Sequence, residues 1–300
     1  MDTNLQNNKC VKVYSDRFAG LRTRNGNLYQ YAHFICDCLF VEILNNVHEN
    51  NIVYREKSVG QTLGNFSSLY DEIMNVKNIE LPEKEFNDLN ITKIIVNGCK
   101  NYSNIHSFTI FRNYIFNRYS IDSFNFDPTY PKILLIERGS YICLASDKSV
   151  VPFSPRTGKE KREIPDIDKL ANYLKNNFSD IYEKVVLENI SFEKQIKYFN
   201  NAKIIMCAHG AAMANMFFCK EKTVILEVTC QAYWDFFNEM SSILNLIHVR
   251  YMGNKYDEII DIFRDIWNKL ESGDVANINS YTIGKTIWKK DVFHSNASYS

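Results

Sequence analysis

The run Ala202-Lys-Ile-Ile-Met-Cys-Ala-His-Gly-Ala-Ala-Met-Ala-Asn-Met-Phe-Phe218 holds the residues whose types and order best suit chemistry. An apolar strand ends near Ala208, His209 and Gly210 make a turn, and small residues from Ala211 open a helix. The first N–H groups of a helix lack intrahelical partners and carry a partial positive charge, and small side chains let oxygens approach them, so this order suits a diphosphate. The same order also serves a helix packed tightly on a sheet, where Gly and Ala only permit close contact. Further on, Glu227 stands near the end of the apolar strand Val224-Ile-Leu-Glu-Val228. An acid there either accepts hydrogen bonds from ribose hydroxyls, as in dinucleotide sites, or simply emerges into solvent.

Other chemical patterns read more plainly. Asp166-Ile-Asp168 has the spacing of a divalent-metal motif, but it follows Pro165 at the start of a helical stretch, where first-turn acids stabilise the positive helix end. Cys36 and Cys38, two apart on a helix, point in different directions and read as packing. The aromatic and basic stretch from Tyr102 to Tyr119, with Arg112 and Arg118, suits either stacking on a sugar or an aromatic core. No metal site and no cofactor are assigned.

These residues need a scaffold, and the chain has the means to build one. Its 300 residues are 45% hydrophobic and 14% aromatic, enough for a large core and for two compact domains. Lysine plus arginine and aspartate plus glutamate each total 35, so no global field favours nucleic acid or an anionic membrane. No apolar run approaches a bilayer span and the polar N-terminus carries no signal core, so a cytoplasmic location is expected. Short apolar runs alternate with helical periodicity, the pattern of an α/β protein with parallel sheets covered by helices. Strands are expected at Val11 to Tyr14, Ile52 to Tyr54, Lys93 to Val96, Lys132 to Ile136, Val185 to Glu188, Lys203 to Cys207 and Val224 to Val228. Helices are expected at Tyr31 to Leu44, Pro165 to Leu174, Ser191 to Phe199, Ala211 to Phe218, Tyr233 to Leu244 and Tyr256 to Leu270. Pro128 and Pro131 interrupt regular structure, which divides the chain into domains at 1–127 and 128–275, with a tail at 276–300 for which a return to the first domain is open.

The run from Val185 to Val228, with Phe192-Glu-Lys-Gln195, then His209-Gly-Ala-Ala-Met-Ala-Asn215 and Ile225-Leu-Glu-Val228, resembles glycosyltransferase family 61. Lys132-Ile-Leu-Leu-Ile-Glu-Arg138 is similar to that family's strand ending in arginine, and Lys161 to Leu170 to its Arg-x-Ile segment. Tyr31-Ala-His-Phe-Ile-Cys-Asp-Cys-Leu39 is similar to its N-terminal His-x-x-x-Asp-x-Leu helix. Ala212, Met213 and Ala214 depart from the family's usual Gly, Leu and Thr. The resemblance implies a GT-B fold, two Rossmann-like β/α/β domains facing across a cleft, the first on the acceptor side and the second holding the nucleotide-sugar donor.

It further implies metal-independent, inverting transfer from a nucleoside-diphosphate sugar, UDP-linked xylose or N-acetylglucosamine for example, to a glycan or other hydroxyl acceptor. The donor is then a substrate rather than a cofactor, and no nucleic-acid partner or membrane span is expected. Without a metal, negative charge growing on the departing diphosphate needs donors, for which Arg138, Arg162 and the N–H groups near Gly210 and Ala211 are candidates. His33 and Asp37 lie four apart on one helix face and are candidates for the base, either as an oriented imidazole or as the carboxylate itself. His209 is a candidate for the phosphate or sugar, Asn215 for the turn or a hydroxyl, and Glu227 for the ribose. A non-catalytic binding protein that keeps the fold is the alternative, and a Rossmann methyltransferase ranks last for want of a Gly-rich loop after the first strand.

Overall fold

The computed structural model describes residues 9–16, 31–58, 61–139, 163–229, 235–278 and 281–283. In the first half, strand β1 (Cys10–Ser15) leads to helix α1 (Tyr31–His33), a π-helical turn (Phe34–Leu39) and α2 (Phe40–Leu44). Then follow β2 (Ile52–Glu56), α3 (Ser67–Met74), β3 (Lys77–Leu81), α4 (Glu83–Asp88), β4 (Thr92–Val96) and α5 (Ile105–Arg118). The four strands are parallel, in the order β3-β2-β1-β4.

The second half runs β5 (Ile133–Glu137), α6 (Ile167–Phe178), β6 (Tyr182–Val186), α7 (Phe192–Asn201), β7 (Ile204–Ala208) and a 3-10 helix (Ala211–Phe218). It continues through β8 (Val224–Thr229), α8 (Phe236–Ile243), β9 (Ile247–Met252), α9 (Tyr256–Glu271) and β10 (Tyr281–Ile283). Its six strands are also parallel, in the order β10-β9-β8-β7-β5-β6. The protein is thus a mixed α/β fold with two parallel sheets. None of its described helices is long and apolar enough to cross a membrane.

Strands β7 and β8 are buried along their whole lengths because helices cover both faces of the sheet, which is why they read as unbroken apolar runs. Alternation along each strand divides the side chains between two cores. Ile204, Met206, Val224, Leu226 and Val228 face α6 and α9, meeting the stripe Ile259, Ile260, Phe263, Ile266 and Trp267. Leu134, Ile136, Ile205, Cys207 and Ile225 face the other way, into a core shared with the first half. There Phe217 of the 3-10 helix meets Phe40, Phe108 and Phe111, with ring centroids 5.2, 4.9 and 4.9 Å apart. Arg112 seals this contact, its Nε donating to the carbonyl of Phe217 at 2.7 Å and its Nη2 to that of Cys219 at 2.6 Å. The stretch around Arg112 is therefore core and anchor, not a stacking surface.

The first half also buries an ion pair. Arg55 and Glu42 are both fully buried, with Nη2 2.5 Å from Oε2, and the Tyr70 hydroxyl donates to the same oxygen at 2.7 Å. Arg55 Nε donates to Asn78 Oδ1 at 3.1 Å, while its Nη1 is buried without a hydrogen-bond partner.

Several expectations need correction. The Tyr31 to Leu44 helix is interrupted by the π-helical turn, and Ala211 to Phe218 winds as a 3-10 helix rather than an α-helix. Strand β6 ends at Val186, and Leu187–Asn189 turn away as a short 3-10 helix. Helix α6 begins at Ile167, one residue after a left-handed Asp166, and runs on to Phe178. Strands β3, β9 and β10 and helices α3 and α4 were not anticipated. Tyr281–Ile283 pairs with β9, so this part of the tail extends the second sheet.

Candidate functional site

The order of the second sheet marks where a ligand belongs. From β5 the chain crosses to β6 on one side, then returns to β7 on the other, so the carboxyl ends of β5 and β7 diverge at a topological switch point. In open parallel sheets this crevice receives the ligand, because no connection covers it and helix N-termini point at it. Arg138 directly follows β5, and His209 directly follows β7.

These two residues are locked to each other. Arg138 Nη1 donates to the backbone carbonyl of His209 at 2.9 Å. The contact depends on Gly210, since a Cβ at that position would lie 2.2 Å from the same nitrogen. Gly210 has φ 162°, an extended conformation open to any residue, so space rather than backbone freedom requires glycine here. Beyond it, Ala211 and Ala212 are partly exposed whereas residues from Met213 to Cys219 are buried, so the 3-10 helix opens to the crevice only at its start. Ala214 is fully buried.

His209 is held from behind. Its Nδ1 lies 2.6 Å from Glu227 Oε1, and its ring meets Phe237 edge-on at 5.6 Å. Glu227 Oε2 lies 2.7 Å from His248 Nε2 and accepts from Arg250 Nε at 2.9 Å. Burial pushes the Glu227 carboxyl up, but the hydrogen bonds and positive charge of His209 and His248 outweigh it and hold the group well below the usual carboxylate range. Glu227 has no solvent exposure. It is not presented to a ribose hydroxyl, and its sequence-based assignment is corrected: the strand is covered on both faces, so its carboxylate turns inward to His209.

Asn215 is also fully buried. Its Oδ1 accepts from the Tyr31 hydroxyl at 2.6 Å and its Nδ2 donates to Gln195 Oε1 at 3.0 Å. Gln195 in turn donates to the carbonyl of Leu187 at 3.0 Å. Asn215 thus joins the two halves through Tyr31 and faces no ligand hydroxyl. Burial drives the Tyr31 phenol strongly upward, so it stays protonated and serves as a donor.

The first half contributes His33 and Asp37. His33 Nδ1 lies 2.7 Å from Asp37 Oδ2, and Asp37 Oδ1 accepts from the Cys99 backbone N–H at 3.0 Å. The Asp37 side chain is 2% exposed and that of His33 23% exposed, so the carboxylate is the buried partner and the imidazole the accessible one. Helix α1, which carries His33, packs directly on the 3-10 helix after Gly210. The pair from one half and the turn from the other are therefore neighbours.

Of the remaining sequence-based candidates, Arg162 lies outside the described residues. Asp166 pairs with Lys169 at the start of α6, and Asp168 with Lys184 of β6, whose Nζ also lies 3.0 Å from Glu137 Oε2 at the end of β5. His248 and Arg250 were missed. Their signal was the alternation Ile-His-Val-Arg-Tyr-Met over 247–252, a period-two pattern that marks a strand with two polar residues on one face.

Across residues 31–226 the chain matches the family model described as Glycosyltransferase 61. No curated protein matches it.

Proposed function

The chain belongs to glycosyltransferase family 61 and is a glycosyltransferase, and from that premise we propose inverting, metal-independent transfer from a nucleoside-diphosphate sugar, UDP-linked xylose or N-acetylglucosamine among them, to a hydroxyl of a glycan or similar acceptor. The two halves work as a GT-B pair, with the donor at the second sheet and the acceptor on the side of the first. The observation that carries this reading is the switch-point crevice between β5 and β7, where Arg138 is clamped over Gly210 beside the helix that bears His33.

In the reaction the acceptor oxygen attacks the anomeric carbon as the bond from that carbon to the phosphate oxygen breaks. The acceptor proton passes to His33, whose Nδ1 is held by Asp37 so that Nε2 serves as the base. Charge growing on the departing diphosphate is met by the Arg138 guanidinium, by His209 and by the N–H groups at Ala211 and Ala212. Arginine suits this place because its forked donors reach two phosphate oxygens at once. Glu227 acts through His209, not on the sugar nucleotide itself.

Calorimetric titration with uridine diphosphate, first with chelator and then with manganese, tests the reading. Binding in chelator that weakens in Arg138→Ala is the expected result. Strict manganese dependence, or no binding of any nucleoside diphosphate, would overturn it.

A further inference from the structure

The carboxylate behind His209 is shared with groups that lie beyond residue 226, where the family match ends. Strand pairing sets Glu227 opposite Arg250 and Ile225 opposite His248, so the polar side chains of β8 and β9 project from one face of the sheet. Glu227 accepts three hydrogen bonds there: one at Oε1 from His209, and two at Oε2 from His248 and Arg250. An ionised carboxylate offers only lone pairs, so each imidazole nitrogen facing it must carry a proton. For His209 that nitrogen is Nδ1, and for His248 it is Nε2. On its other side His248 Nδ1 lies 3.3 Å from the Ser241 hydroxyl, which is itself 2.8 Å from the carbonyl of Phe237. Ser241 and His248 are 1% and 2% exposed, so this arrangement is closed to water.

We infer that His248 is a positioning residue for sugar transfer: through Glu227 it fixes the tautomer and ring orientation of His209, so that His209 meets the donor diphosphate with Nε2. The inference rests on the donor site proposed above and adds residues to it. With Nδ1–H held by the carboxylate, Nε2 is where the ring takes its second proton, and from there the imidazolium donates to a diphosphate oxygen, which only accepts. Without His248, Oε2 keeps only Arg250. That guanidinium is tied at its far end to the exposed Asp235, 3.0 Å from Nη1, and draws the carboxylate toward the rim and away from His209. Histidines that act on ligands are commonly oriented in this way by a carboxylate, and the added feature here is a second histidine that orients the carboxylate.

The test is long-range nitrogen–proton NMR of the histidine rings, with uridine diphosphate titrations, on wild type, His248→Leu and His248→Gln. The inference expects His209 in the Nδ1–H form in wild type. In His248→Leu it expects a mixture of tautomers and about tenfold weaker binding, the size of one hydrogen bond to a charged group. Glutamine places an amide donor close to the position of Nε2, so His248→Gln should restore both readouts. An Nε2–H tautomer in wild type overturns the inference with no variant needed. An unchanged His209 spectrum in His248→Leu overturns it equally, and if that variant does not fold, failure of a folded His248→Gln to keep the Nδ1–H form does so. Should wild type bind no nucleotide, the donor reading fails, while the tautomer response still decides the role of His248.

Discussion

Replacing Gly210 by alanine separates the site from the fold. The new Cβ would stand 2.2 Å from Arg138 Nη1 and 3.1 Å from its Cζ, so the guanidinium must withdraw by roughly 1 Å or more to reach ordinary contact. That movement breaks its 2.9 Å bond to the His209 carbonyl and takes the cation from the crevice. A hydrogen bond to a charged group is worth ~1.5–3 kcal/mol, which corresponds to about ten- to hundredfold weaker binding of uridine diphosphate. The fold should hardly respond, because the clash falls on the end of a flexible side chain and the backbone at Gly210 is extended, so the melting midpoint should move by no more than about 4 °C. Calorimetry on Gly210→Ala, Arg138→Ala and the double variant measures the effect. Both changes act through one guanidinium, so the double variant should bind no more weakly than Arg138→Ala alone. Wild-type affinity in Gly210→Ala would refute the argument, and strictly additive losses would show that the two residues act separately.

Two other perturbations follow from the first half. Asp37→Asn, assayed by single-turnover transfer and by nucleotide titration, should cut turnover by about 100- to 10,000-fold with nucleotide affinity unchanged, because it disturbs a proton acceptor and not the diphosphate cradle. Glu42→Ala leaves the fully buried Arg55 without its counter-charge and should cost ~3–5 kcal/mol in urea unfolding, most of it recovered when Arg55→Met is added.

The sequence is most legible where a side chain's neighbours in the chain determine its surroundings. The all-buried strands β7 and β8 announced themselves as apolar runs, and Ser191 caps α7 as its type suggests, accepting from the Lys194 N–H at 3.3 Å. His33 and Asp37 could be paired from their spacing because both sit within one helical turn. Strand β3, Lys77-Asn-Ile-Glu-Leu81, was not legible: it is an edge strand with only partial burial, so it lacks an apolar signature. Glu227 was read as a carboxylate presented at the strand end, to a ribose or to solvent, because an acid at such a position usually is. Its burial depends on His248 and Arg250, twenty-odd residues later and one strand across, and pairing between strands leaves no mark in local periodicity. The π-helical turn at Phe34–Leu39 likewise has no signature in a pattern that already suits an α-helix.

The aromatic seam between the sheets bears on how this protein can vary. Phe40, Phe108 and Phe111 from one half close on Phe217 from the other, and Tyr31 reaches across to Asn215 and Gln195. A fragment ending before Pro128 would lay those rings bare and invite aggregation, so the protein should melt in one cooperative transition and not as two modules. Recombination that trades one half for a relative's must carry matching aromatic and tyrosine partners with it. New acceptor specificity is therefore more accessible through surface loops than through exchange of a whole half.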